Sequence, residues 1–92
     1  MTDIRVTHTG GEEYGVEVRE GKGATHHRVQ VPADALERYG AGAEAETLVE
    51  ESFRFLLERE PKESILSSFE ISVIERYFPE YPGEIRGRLG GR

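Results

Sequence analysis

Three histidines, His8, His26 and His27, are the side chains of this 92-residue chain best placed for chemistry near neutral pH. Imidazole titrates in that range and ligates zinc or nickel. A metal site would need these rings to converge with Asp or Glu. Adjacent residues of a strand point to opposite faces, so only one of His26 and His27 can join His8, and parity selects His27. That leaves a poor ligand set, and no metal or other cofactor is expected. Ser52, Ser64, Ser67, Ser68 and Ser72 offer hydroxyls, but none stands in a strained G-x-S-x-G turn; each is explained by a helix cap or helix surface. Glutamates are so numerous that close carboxylate pairs arise by chance on solvated helix faces. The stretches "TGGEE" and "GKG" lack the lysine-serine ending of a phosphate loop and read as hairpin turns. The chain is therefore expected not to be an enzyme.

The elements that carry these residues follow from periodicity. "DIRVTHTG" places Ile4, Val6 and His8 on one face of a strand that ends at Gly10-Gly11. "EYGVEVRE" places Tyr14, Val16 and Val18 together, and "THHRVQVP" turns His27, Val29 and Val31 inward and His26, Arg28 and Gln30 outward. Three such strands joined by glycine turns predict an antiparallel meander with one wet face. Pro32 suits a first helical turn and Gly40 a stop, which predicts a short helix offering Leu36 and Tyr39 to the core. A longer amphipathic helix comes next, with Val49, Phe53, Leu56 and Leu57 in one stripe widened by Leu48 and Phe55, and with Thr47 and Glu50 spaced as a capping box, although the acidic turn before Thr47 could itself be helical. From Pro61 onward, Ile65, Leu66, Phe69, Val73, Ile74 and Tyr77 recur at helical spacing. Ser72 and Glu75 form a second capping box, leaving open whether 61–78 is one helix or two. The fold class is thus α+β: a three-stranded antiparallel meander, a short helix, a longer amphipathic helix and a C-terminal helical segment. Residues 1–82 form the single domain, and "PEYPGEIRGRLGGR" predicts a flexible Gly/Arg tail over 83–92.

Composition narrows the function classes. A chain of this length has room for one core and buries only roughly 60 to 65% of its unfolded surface, so a homodimer or protein partner is expected to add stability. There is no cysteine, which removes disulfides and thiolate chemistry and fits a reducing compartment. The start "MTDIRVTHTG" has neither the basic stretch nor the apolar run of a secretory signal, and no apolar segment approaches the roughly 20 residues that cross a bilayer. A cytoplasmic protein with no membrane partner is expected. The net charge of −6 opposes non-specific attraction to phosphate backbones.

The run from Thr25 to Glu60 resembles the bacterial ribbon-helix-helix repressors: "HHRVQVP", "ADALERYG" and "AEAETLVEESFRFLLERE" match the order of that family's strand, first helix and second helix. The resemblance implies a strand that pairs with its dimer mate and enters the major groove, with His26, Arg28 and Gln30 at the base-reading positions. Arginine pairs bidentately with guanine and glutamine with adenine. A sheet placed before such a segment is also similar to HicB-type antitoxins, which implies a DNA-binding regulator or antitoxin. Against nucleic acid stand Glu44, Glu46, Glu50 and Glu51, which crowd the helix start where that family approaches phosphate.

The residues least accounted for by a closed fold are Phe69, Ile71, Tyr77, Phe78 and Tyr81. So much apolar surface in a short segment exceeds what one neighbouring stripe can cover, and aromatic side chains are favoured interface anchors. The leading expectation is a non-enzymatic protein–protein interaction module, homodimeric, using these five residues. The ribbon-type regulator is the alternative, and pairing of strand 25–31 within the chain or across a dimer separates the two.

Overall fold

Glycine turns set the first half of the fold. Gly10, Gly11 and Gly21 all adopt positive φ, a conformation an L side chain resists, and they reverse the chain twice. The computed structural model describes residues 2–90, in which β1 (Thr2–Gly10), β2 (Glu13–Glu20) and β3 (Gly23–Gln30) form consecutive antiparallel hairpins. Their register places Ile4 opposite Val18, Val6 opposite Val16, and Val16 opposite His27. Apolar side chains thus line one face, as the alternation predicts.

The sheet does not stop at three strands. Ser68–Glu70 forms β4, which runs parallel to β3 with Val29 opposite Phe69, and completes a mixed sheet in the order β1-β2-β3-β4. A parallel neighbour needs a long crossover. It is supplied by α1 (Ala33–Tyr39) and α2 (Ala45–Leu57). The antiparallel meander is therefore only part of the sheet.

Pro32 precedes α1, where its missing N–H costs nothing, and Gly40 ends it. A Cβ on Gly40 would lie 2.5 Å from the Leu36 carbonyl oxygen, so this position is reserved for glycine by close backbone approach. Helix α2 starts two residues before the Thr47 cap read from the sequence; Glu44 is its N-cap and makes no side-chain capping bond. Its buried stripe is Leu48, Val49, Ser52, Phe53, Phe55 and Leu56, while Leu57 is half-buried.

The helical spacing after Pro61 is misleading. Lys62–Ser64 is a single 3-10 turn, β4 comes next, and only Val73–Tyr77 is α-helical, forming α3. No Ser72–Glu75 capping box forms. The Ser72 hydroxyl donates to Glu70 at 3.0 Å, and Glu75 accepts from the Tyr39 hydroxyl at 2.7 Å. Burial and that carboxylate together push the Tyr39 phenol up to about 12.

A further correction concerns the Gly/Arg tail expected over 83–92. Tyr81–Gly90 forms α4, and Tyr81 and Ile85 are both fully buried against the other helices; residues 91–92 lie outside the described residues. The Tyr81 hydroxyl sits 2.6 Å from the Ser52 hydroxyl deep in the core, and its ring meets Phe55 and Tyr39. Pro82 falls in the first turn, where free N–H groups are unavoidable, so it does not break the helix. Among the described residues no buried side-chain nitrogen or oxygen lacks a partner, and no helix is long and apolar enough to cross a membrane.

This helix gives a direct test. Around a Cβ added at Gly83 or Gly87 there is open space. Gly83→Ala and Gly87→Ala should each stabilise the protein by about 0.5–1 kcal/mol, seen as a higher urea midpoint with unchanged slope. A disordered tail would leave the midpoint where it is.

Candidate functional site

Three clusters arise from the sequence candidates: the histidines, the outer sheet face, and the C-terminal aromatics. His8 and His27 share the inner sheet face, but each ring is already engaged. His8 stacks on Tyr14 with centroids 4.8 Å apart and bonds the Gly11 carbonyl at 2.8 Å. His27 is buried beside Phe53; its Nδ1–H donates to the Leu66 carbonyl at 2.8 Å, and its Nε2 accepts from the Thr25 hydroxyl at 2.8 Å. The carbonyl can only accept, so this bond fixes the neutral tautomer. Among the described residues no three His, Asp or Glu side chains converge on a metal-sized site.

His26, Arg28 and Gln30 lie on the opposite face. Arg28 pairs with Glu13 at 3.2 Å and His26 approaches Glu17 at 3.6 Å, while Gln30 is half-buried across from Glu70. Each base-reading candidate thus faces an acidic side chain on a neighbouring strand. Above Gly15, which carries no side chain to fill the space, the face is dented into a shallow, charge-mixed depression.

The five aromatic and aliphatic candidates divide. Phe69, Ile71 and Tyr81 are core residues; β4 turns Phe69 inward, Ile71 continues the pairing with β3, and α4 buries Tyr81. Tyr77 and Phe78 remain near the surface. Tyr77 is 66% exposed, and Leu66, which helical spacing assigns to the core, is 46% exposed. Both border one groove of about 220 Å3 between the end of α2, the loop before β4, and α3. Leu56, Ile65, Phe69 and Ile74 form its floor, and Leu66, Val73, Tyr77 and Phe78 its walls. Sequence spacing could not find Leu66, because a continuous helix over 61–78 would have placed it in a buried stripe.

Among the described residues the polar ones lining the groove are Ser64 and Glu60. Burial pushes the Glu60 carboxyl up, and no cation reaches it among the described residues. Its neighbours are spent elsewhere. Arg59 lies over the Phe55 ring at 3.7 Å and pairs with Glu80 at 3.0 Å, Lys62 pairs with Glu63 at 2.8 Å, and Arg88 holds Glu58 at 2.6 Å. The groove therefore combines an apolar wall with one unanswered carboxylate.

No family model, curated protein or solved structure matches the chain.

The His27 bond ties β3 to Leu66 at the groove rim, which makes the rim sensitive to acid. Burial holds the ring below its ordinary 6.5, the Leu66 carbonyl partly offsets this, and His26 adds to it. A depressed histidine means the unfolded chain binds more protons, so stability rises with pH. It should be complete above about pH 6.5 and fall as the pH drops below that value. Glu58, held down chiefly by its bond from Arg88, loses its contribution only below its ordinary 4.5, and Glu60 acts in the opposite sense just above 4.5. Urea melts between about pH 7 and 5 should show this slope in the natural chain and a flatter one in His27→Gln.

Proposed function

We propose that this domain is a non-enzymatic protein–protein interaction module, working as a homodimer, whose groove between α2 and the β4–α3 segment takes an amphipathic segment of another protein. The observation that carries this reading is the placement of Leu66 and Tyr77, the two exposed large apolar side chains among the described residues, on the walls of the same groove. Scattered exposed apolar residues mean little, whereas a clustered pair above an apolar floor is the anatomy of a docking site. A tyrosine suits the anchor role, since it contributes large area at low conformational cost. Glu60 supplies the polarity of the match: the docking segment offers aliphatic or aromatic residues and one lysine or arginine to meet the carboxylate.

Selection from a random-peptide display library tests the reading. Enriched peptides should combine apolar anchors with a basic residue, Tyr77→Ala should weaken them by more than about tenfold, and Glu60→Gln should weaken the basic ones roughly tenfold. Failure to enrich any sequence, or binding indifferent to Tyr77, contradicts it.

A ribbon-type DNA regulator has less support. Its strand would need a free edge, and β3 is hydrogen-bonded to β2 on one side and β4 on the other. Its base-reading arginine is paired with Glu13. Titration of duplex DNA at low salt should give no binding; salt-sensitive binding lost in Arg28→Ala would reverse the preference.

A further inference from the structure

The two edges of the sheet differ in length. At the short edge β4 is three residues long and is followed two residues later by α3. At the long edge β1 runs for nine residues and, among the described residues, pairs only with β2. Such an edge presents a row of unpaired N–H and C=O groups, and proteins commonly blunt it with charged side chains, proline, inward-facing charge or a bulge. In β1 the bulge lies at the far end, between His8 and Gly10, and Asp3 and Arg5 are the charged side chains before it. Over Thr2–His8 the ladder is regular, and this pair of opposite charges guards the edge only against a partner that does not answer both.

The side chains of this edge are also unfinished. Ile4 and Val6 point to the core face yet remain half-buried, whereas Val16 and Val18 beside them on β2 are buried. On the outer face Asp3 and Arg5 are exposed, and neither belongs to an ion pair among the described residues. Arg5 lies directly across from Glu17, but that carboxylate is taken by Arg19 at 2.7 Å.

Geometry restricts how a second copy can add here. Directly opposed residues of an antiparallel pair share a face, and a two-fold axis perpendicular to the sheet leaves faces unchanged, so the axis must pass through a residue. Through Arg5 it would oppose two guanidiniums, and through Asp3 two carboxylates, both unfavourable. Through Val6 it would set Arg5 against Thr7 and Asp3 against Thr9, leaving both charges unanswered. Through Ile4 it sets Asp3 against Arg5 twice, once on each side, and brings Ile4 against its own copy.

We propose that two copies of this chain join β1 to β1 in antiparallel fashion about an axis through Ile4, fusing two four-stranded sheets into one. The occupant is a second copy because the strand is complementary to itself in this one register. The contact hydrogen-bonds the open ladder, covers Ile4 and Val6, and answers Asp3 and Arg5. It also leaves both grooves facing solvent on the helical side, free for the partner segment. The inference rests on the homodimer of the reading above but not on the groove.

Sedimentation equilibrium on the full chain, with charge substitutions, tests it. The natural chain should show a concentration-dependent mass reaching twice 10.4 kDa. Asp3→Arg and Arg5→Asp should each weaken association by about tenfold or more, because each opposes like charges twice, and the double substitution should restore it. High salt should shrink these differences. Thermal melts followed by circular dichroism confirm that each variant is folded. Monomer mass at every attainable concentration would overturn both this edge and the homodimer. A dimer indifferent to the single substitutions, or one lost in Tyr77→Ala, would overturn the β1 contact alone.

Discussion

Hydrogen bonding along both edges of β3 joins the two halves of the chain. On one side β3 pairs with β2 in a hairpin that local turn chemistry favours; on the other it receives β4 after a crossover through two helices. The Arg28 amide donates to Ser67 at 2.8 Å, the Ile71 amide donates to Gln30 at 3.0 Å, and the His27 ring reaches Leu66. These bonds draw residues 65–71 across the end of the sheet and turn Ile65, Phe69 and Ile71 into core. Everything that forms the groove hangs from that attachment: Leu66 is held outward on the loop just before β4, and α3 begins where the pairing ends. Without β4 the aromatic segment would be free to collapse on α2, and the groove would have no second wall.

The helices close the structure around a shared aromatic cluster. Phe55 of α2 meets Phe78 and Tyr81 edge-on, at 5.8 and 5.3 Å, and Arg59 covers one face of its buried ring. Charged groups then stitch the rim, Arg59 to Glu80 and Arg88 to Glu58. Exposed ion pairs of this kind contribute little each. Their effect on the site is indirect: they occupy the arginines nearest the groove and leave the Glu60 carboxylate without an ion-pair partner among the described residues.

The first half of the fold is legible from alternation and glycine position, because a period of two with one apolar face leaves a hairpin little choice of register. The inward set Val16, Val18, His27 and Val29 can be read directly. So can the stripe of α2. The segment beyond Pro61 is not legible, since a three-residue strand carries almost no periodic signal and Ile65, Phe69 and Val73 happen to recur at helical spacing. There long-range pairing with β3 outweighs local pattern. The C-terminal helix is hidden for the opposite reason. Its glycines and proline disfavour a helix, yet burial of Tyr81 and Ile85 offsets that propensity, which is a weak prior wherever tertiary contacts exist. Both effects reach the candidate site: the pattern singles out Tyr77 and Phe78, which line the groove, conceals Leu66, and makes the core residues Phe69, Ile71 and Tyr81 look like surface.

An interior β3, held by β2 and β4 of its own chain, underlies both the groove and the free β1 edge. Amide hydrogen exchange at Arg28 and Ile71 measures this directly, because these two N–H groups make bonds that only the β3–β4 attachment provides. Both should exchange as slowly as the amide of Val18 in the middle of the sheet, opening only with global unfolding. Rapid exchange at Arg28 and Ile71 while Val18 stays protected would contradict the account, leaving β3 with an open edge and the groove without its wall.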